Sequence, residues 1–229
     1  MPPMTLERRL CGEVLGTAFL LAVVVGSGIM AERLAGGNIA LALLANALAT
    51  GAGLYALILV FAPISGAHFN PVVSIYTAIA GHLRWPEAGL YMLAQVVGGV
   101  LGVMATHFMF DLPLMTLSEH VRAGGSQLWS EFVATFGLLA VILSTSRHHP
   151  TATPAAVGAY ITAAYWFTAS TSFANPAVTI ARTLTATFAG IRPLDAPAFI
   201  VMQVLGMLVA VVVFRWLYTE KLCPSNSSN

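Results

Sequence analysis

The apolar positions of this chain run together in long uncharged stretches instead of alternating strictly with polar ones, which is the pattern of helices crossing lipid and not of barrel strands. Six stretches are long enough to span a bilayer: Val14–Met30, Ile39–Phe61, Ala88–Phe110, Leu128–Ser146, Pro154–Ser170 and Ala196–Trp216. Two others, Pro71–Ala80 and Pro176–Phe188, are too short to span, and each follows a small polar loop, Ser65-Gly66-Ala67-His68 and Ser170-Thr171-Ser172. Short apolar segments behind such loops are expected to re-enter the membrane as half-helices.

The order is therefore span, span, half-helix, span, repeated once, with a polar connector from Asp111 to Gln127. Paired sequence echoes mark an internal repeat. Glu13-Val-Leu-Gly-Thr and Glu131-Phe-Val-Ala-Thr open the halves, Asn70-Pro71-Val72 and Asn175-Pro176-Ala177 open the half-helices, and Gln95 and Gln203 recur in the last spans. With three spans per half, the halves must lie in opposite orientations. The expected fold is an all-α membrane protein of six transmembrane helices and two re-entrant half-helices in an inverted repeat, one domain over 1–229 with halves of about 8–110 and 127–219.

Composition agrees with the pattern: 58% of the residues are hydrophobic and 8% charged, and the mean hydropathy is +0.82. A chain in lipid must satisfy its backbone internally, which helices do. The net charge of +1 and the lack of a basic stripe argue against nucleic acid as a partner. Cys11 and Cys223 stand near the two ends and suggest neither a disulfide framework nor a metal site. The run after Arg8 and Arg9 contains Glu13 and lacks a cleavage pattern, so it reads as the first span and not a signal peptide. With the N-terminus inside, Arg8, Arg9, Arg84, Arg147, Arg215 and Lys221 are cytoplasmic, while Arg33, Arg122, Arg182 and Arg192 lie outside or in the outer half-helix. The Asn226-Ser227-Ser228 sequon then falls in a cytoplasmic polar tail.

Asn followed by Pro is a helix start, because Asn caps orphan N–H groups and Pro at the first position has none to leave unpaired. Two such starts at equivalent places of an inverted repeat carry more weight than either alone. The two half-helices would meet near the bilayer midplane with their positive ends turned to the pathway. Cations would face an unfavourable potential, and the amides of Asn70 and Asn175 would orient a neutral solute's oxygen.

These residues resemble a known family. Ser65-Gly66-Ala67-His68-Phe69-Asn70-Pro71-Val72 is similar to the first signature loop of the aquaporins and aquaglyceroporins, and Phe173-Ala174-Asn175-Pro176-Ala177 to the second. The resemblance implies a passive channel with no enzymatic activity, cofactor or metal. It also implies a homotetramer in membrane lipid, and a multi-pass protein of a bacterial inner membrane with both termini cytoplasmic. It assigns Glu13 and Glu131 to bracing the loops and His68 to the inner vestibule. It sets the selectivity filter at Thr50, Ala163, Ser172 and Val178; water-selective members carry an aromatic residue, a His and an Arg at the first, second and fourth of these, and some members a Cys at the third.

The expected filter is therefore wide and weakly polar, which suits water, glycerol-like polyols and neutral arsenite or methylated arsenicals better than water alone. A Val filter with a small Thr partner is similar to that of bacterial channels associated with arsenic resistance. Arg182, one turn beyond Val178, reads as a helix-face or interface anchor. His82, His107, His120, His148 and His149 sit at span edges or loops, where solvated histidines are expected. Gly98, Gly99, Gly102 and Gly206 read as contacts for close helix packing. A strict water channel and a secondary transporter built from inverted repeats are the competing readings. An enzyme is disfavoured because no nucleophile–base pair or metal set can be assembled.

Overall fold

The computed structural model describes residues 4–218, and among them it contains eight α-helices and no strand. Lys221, Cys223 and the sequon at Asn226 lie outside the described residues. The first half comprises α1 (Leu6–Leu34), α2 (Ile39–Ser65), α3 (Pro71–Ile79) and α4 (Trp85–Met109). The second comprises α5 (Gly125–His148), α6 (Thr153–Phe167), α7 (Pro176–Ala181) and α8 (Ala196–Leu217). Five of these helices are long and apolar enough to cross a membrane.

The fifth expected span is shorter than the hydrophobic run suggested. α6 has 15 residues, about 22 Å at 1.5 Å per residue, against a hydrocarbon core of about 30 Å. A 3-10 turn at Pro150–Ala152 precedes it. At its other end Thr168 turns extended while its Oγ1 donates to the Ala164 carbonyl at 2.6 Å. The second half-helix is also shorter than Pro176–Phe188: it ends at Ala181 and passes through a 3-10 turn at Arg182–Leu184 into extended Thr185.

The two halves interlock. Within them α1 packs on α2 and α4, and α5 on α6 and α8. Between them α2 packs on α6, α3 on α8, and α7 on α4. Each half-helix is thus held by the last span of the other half as well as by its own. Glycine makes the closest approaches possible. A Cβ on Gly98 would stand 2.3 Å from the Val14 carbonyl oxygen, and one on Gly102 2.3 Å from that of Ala18. Gly206 meets the Phe132 carbonyl in the same way at 2.4 Å. Gly51 and Gly158, which the hydrophobic pattern did not single out, face one another, each new Cβ falling within 2.7 Å of the other's carbonyl oxygen. Small residues of this kind let helices touch backbone to backbone in lipid.

Large apolar side chains cover the outside instead of the centre: Phe19, Leu93 and Val212 are 58%, 61% and 67% exposed. Such a surface is stable against hydrocarbon and not against water. Polar side chains such as Glu13, Gln95, Glu131 and Gln203 are fully buried.

Candidate functional site: the cavity between the two Asn-Pro loops

Both loops preceding the half-helices hold unfavourable backbone. Ala67 and Phe69 in one, and Thr171, Ser172 and Ala174 in the other, have φ between 48° and 61°. For residues with a Cβ this left-handed region costs about 1 kcal/mol or more each. Two buried acids hold it in place. Glu13 Oε1 accepts from His68 N at 3.0 Å and Ser65 Oγ at 2.6 Å, and its Oε2 accepts from Phe69 N at 2.7 Å. Glu131 accepts from Phe173 N and Ala174 N, each at 2.9 Å.

A glutamine completes each cradle. Gln95 Nε2 donates to Glu13 at 2.7 Å and to Ser74 Oγ at 3.0 Å. Gln203 Nε2 donates to Glu131 at 2.6 Å and to Thr179 Oγ1 at 2.9 Å. Ser74 and Thr179 lie one turn into α3 and α7, so acid, loop and half-helix form one bonded unit in each half. The sequence echoes Gln95 and Gln203 carry this role, which the pattern alone had left unassigned.

The loops also lock one another. Asn70 Oδ1 caps α3 by accepting from Val72 N at 3.1 Å, and Asn175 Oδ1 caps α7 by accepting from Ala177 N and Val178 N at 3.0 and 3.2 Å. Each amide nitrogen crosses to the other half: Asn70 Nδ2 donates to the Ala174 carbonyl at 2.8 Å, and Asn175 Nδ2 to the Phe69 carbonyl at 2.7 Å. An amide has two N–H groups. One on each Asn is used for this exchange, and the other is left for whatever lies in the cavity that both residues line.

That cavity encloses about 130 Å³ and runs between α1, α2, α5, α6 and the two loops. It shares Gly66, His68, Val73, Ile142 and Thr153 with a wider vestibule bounded by Arg147, Arg215 and His82. The lining is mostly apolar, with Leu20, Val24, Leu54, Ile58, Leu138, Val157 and Ile161 among it. His68 lines both spaces and bonds Ser74 Oγ through Nδ1 at 3.0 Å. Thr50, Ser172 and Val178 all line the cavity. Pro71, Val72, Pro176 and Ala177 are buried behind the wall and shape it without lining it.

Three expectations need correction. Ala163 is exposed on the outer face of α6 and does not line the cavity. Tyr165 does, and its hydroxyl lies 3.2 Å from Thr50 Oγ1. The count back from Asn175 missed by two because the loop at 168–173 winds through left-handed residues instead of continuing the helix. Arg182 is not a helix-face anchor: it is 2% exposed, lines the cavity, and lies over the Phe173 ring with its Cζ 3.4 Å from the centroid. His107 is not solvated but 1% exposed, its Nδ1 donating to the Pro113 carbonyl at 2.6 Å and its Nε2 2.8 Å from Thr185 Oγ1. It ties α4 to the connector and to the strand of chain after α7. His82, His120, His148 and His149 are exposed.

Arg122 of the connector was likewise hidden from pattern reading, since loop arginines are usually solvated. Here it is 7% exposed: Nε donates to the Gly190 carbonyl at 2.8 Å, Nη1 to that of Ser170 at 3.1 Å, and its Cζ lies 5.0 Å from the Phe173 centroid. Burial pulls its pKa down to about 10, still well above neutral pH.

Comparison with known proteins agrees with this geometry. The family model described as "Major intrinsic protein" matches residues 3–169 and again 149–229. Among curated relatives, "Aquaglyceroporin AqpS" of Rhizobium meliloti (strain 1021) is 52% identical over 217 residues, covering 95% of this chain and 93% of that protein. "Aquaporin Z" of Photorhabdus laumondii is 30% identical over 233 residues, covering 93% and 99%. Among solved structures, the aquaglyceroporin from Plasmodium falciparum aligns with a TM-score of 0.69 over 96% of this chain and 98% of that one, at 24% identity. That likeness gives the aquaporin fold. With the family model spanning nearly all of its length and that fold built around the two Asn-Pro loops, the chain belongs to the major intrinsic protein family as a multi-pass membrane protein.

Proposed function

We propose that the chain is a passive channel conducting water and glycerol-like neutral solutes, neutral arsenite included, down their gradients. The observation that carries this reading is the reciprocal pair of bonds by which Asn70 and Asn175 each donate to a backbone carbonyl of the opposite loop. It fixes two polar donors at the middle of an otherwise apolar passage. A neutral solute with an acceptor oxygen exchanges water for those donors. A cation gains nothing from them and loses its hydration shell. Members of this family are channels and not enzymes.

The solute range follows from the lining. Thr50 and Val178 are smaller than the aromatic and Arg of a water-selective filter, Tyr165 and Arg182 supply polar groups beside them for a solute's hydroxyls, and the relative named as an aquaglyceroporin supports that range. A coupled transporter would need a titratable group open to the pathway. Glu13 and Glu131 are 0% exposed, do not line the cavity, and spend both carboxylate oxygens on their loops. The reading extends to one domain, a homotetramer with a pore in each chain, and a bacterial inner membrane with the N-terminus inside. Arg84, Arg147 and Arg215 lie at the end with the wide vestibule, while Arg33, Arg122 and Arg192 lie at the other. That asymmetry supports the orientation.

Stopped-flow light scattering on proteoliposomes tests the proposal. The wild-type protein is expected to pass water and glycerol with no ion gradient present. Val178→Arg should cut glycerol flux on the order of tenfold and water flux by less, since a second guanidinium beside that of Arg182 narrows the mouth while still offering donors to water. Glycerol flux that needs an ion gradient, or none at all, would refute the passive polyol reading.

A further inference from the structure

Val178 stands where the family's filter Arg is expected, yet a guanidinium lies in the cavity all the same. Arg182 is four residues on, on the same face of the half-helix and its 3-10 extension. Side chains on a helix lean back toward the preceding turn, so a long residue covers the surface over its i−4 neighbour. The rise from Val178 to Arg182 is about 6 Å, which an extended Arg side chain spans. Because Val178 is short, the space over it is open to such a side chain.

The surroundings fix the guanidinium there. Its Nε donates to the Ala189 carbonyl, and its plane is stacked on Phe173, which itself packs edge-on against Phe199 at 5.4 Å. Arg122 approaches the same ring and is tied to Gly190 and Ser170, so it closes the outer side without lining the cavity. Among the described residues no protein acceptor bonds the two terminal nitrogens of Arg182. They belong to a side chain that lines the cavity together with Tyr165 and Thr50. A buried cation with unused, planar donors at a passage is a group placed to bind something that passes.

We propose that Arg182 is the residue that selects solutes at the outer constriction, acting from one turn beyond the usual place, with Tyr165 and Thr50 as its partners. Its terminal N–H groups donate to the acceptor oxygens of an uncharged hydroxylated solute, and its fixed charge repels cations before they reach Asn70 and Asn175. Arg122 is a positioning residue: it holds the Ser170 carbonyl and the Phe173 ring on which Arg182 lies. The proposal rests on the channel reading above, and assigns its selectivity to a named side chain.

Arg182→Met keeps the length and the packing on Phe173 while removing charge and donors. Proteoliposomes of this variant are expected to lose discrimination between polyols of different size by several-fold. They should also show a sodium conductance at least tenfold above wild type, with water flux maintained. Arg182→Met/Val178→Arg, which moves the guanidinium to the family position, should restore cation exclusion; a purely structural role for Arg182 would not be rescued that way. If Arg182→Met inserts normally and matches wild type in polyol ratio and sodium conductance, the proposal is overturned while the channel reading stands. If Arg182→Met fails to insert, Arg182→Lys decides: cation exclusion kept with an altered polyol ratio supports the assignment, and an unchanged ratio overturns it. A wild-type protein that conducts no neutral solute refutes the channel reading itself, and the assignment with it.

Discussion

The two Asn-Pro loops are built alike at their centres and differently at their edges. Both centres use an acid, a glutamine and a hydroxyl to hold left-handed backbone and one capping Asn. At the edge of the first, Ser65 donates to Glu13 and His68 bonds Ser74, so that edge is braced by its own half. At the edge of the second, Ser170 Oγ accepts from Ser172 N, Gln127 and Ser130 of α5 hold Ala169, and further support comes from Arg122 in the connector and from Arg182 beyond the half-helix. The centre is where geometry must be the same for every solute. The edge of the second loop is where two cations and an aromatic ring have been added, and selectivity belongs there.

The largest effect expected from breaking this symmetry is at the acids. Glu13→Ala and Glu131→Ala each leave two buried backbone N–H groups unpaired beside strained residues, at about 1–3 kcal/mol per group. Both should abolish a stable folded channel, read as loss of a monodisperse peak in mild detergent. Replacement by Gln separates them. At either site the new amide nitrogen displaces one backbone N–H, but at Glu13 it can still donate to Ser65 Oγ beside His68 N, whereas every partner of Glu131 is an N–H donor, so there the amide's own N–H groups go unpaired as well. Glu131→Gln should therefore lose about 1–3 kcal/mol more stability than Glu13→Gln, measured as thermal unfolding in detergent. Equal losses would mean that Ser65 does not distinguish the two cradles.

A smaller effect is expected at the midplane, and it too should be unequal. Asn70→Asp and Asn175→Asp each keep the cap, because a carboxylate accepts the same N–H groups, but each loses a cross-loop donor and adds negative charge. Cation conductance should rise at least about tenfold, which about 1.4 kcal/mol off the barrier would give. The rise should be larger for Asn70→Asp, since Arg182 is carried on the same half-helix segment as Asn175 and offsets a charge there. Patch recording or a sodium-sensitive dye in vesicles measures both. A larger leak from Asn175→Asp would count against the outer cation.

What could be read in advance divides along the same line. The repeat, the spans and both Asn-Pro starts are written in local chemistry: uncharged runs, a capping side chain followed by Pro, and matched spacing. The bracing roles of Glu13 and Glu131 came with the family resemblance, and the structure supplies the bonds. The outer edge was not legible, because it is assembled from residues far apart in sequence. Tyr165 replaced Ala163 once the loop's left-handed residues broke the helical count. Arg122 and His107 were hidden because loop and span-edge positions usually face water, and nothing in their own neighbourhoods reports the carbonyls of Gly190, Ser170 and Pro113 that bury them. Arg182 was misread because position, and not reach, was matched to the family.

The smallest expected effect concerns how the connector is fastened over that edge. Asp195 accepts from Arg192 Nη2 at 2.8 Å and from the Arg122 backbone N at 2.9 Å, so it joins the start of α8 to the segment that carries Arg122 inward. The bond from Arg192 holds its carboxyl below the usual range, and the bond from Arg122 acts in the same direction. A carboxyl whose folded pKa is depressed contributes stability that is complete above its unfolded value, near 3.9, and lost as pH falls through the lower folded value. The connector should therefore stay closed at neutral pH and loosen only below about pH 4. Because Arg192 reaches into solvent, screening keeps the contribution small. Amide exchange over residues 116–124, taken relative to the intrinsic rate at each pH, should quicken in that acid range in the wild-type protein. Asp195→Asn should show the faster exchange already at neutral pH and little further change on acidification. If acid leaves wild-type exchange unaltered while Asp195→Asn still speeds it, the carboxylate's charge is not what fastens the connector, and shape alone holds Arg122 against Phe173.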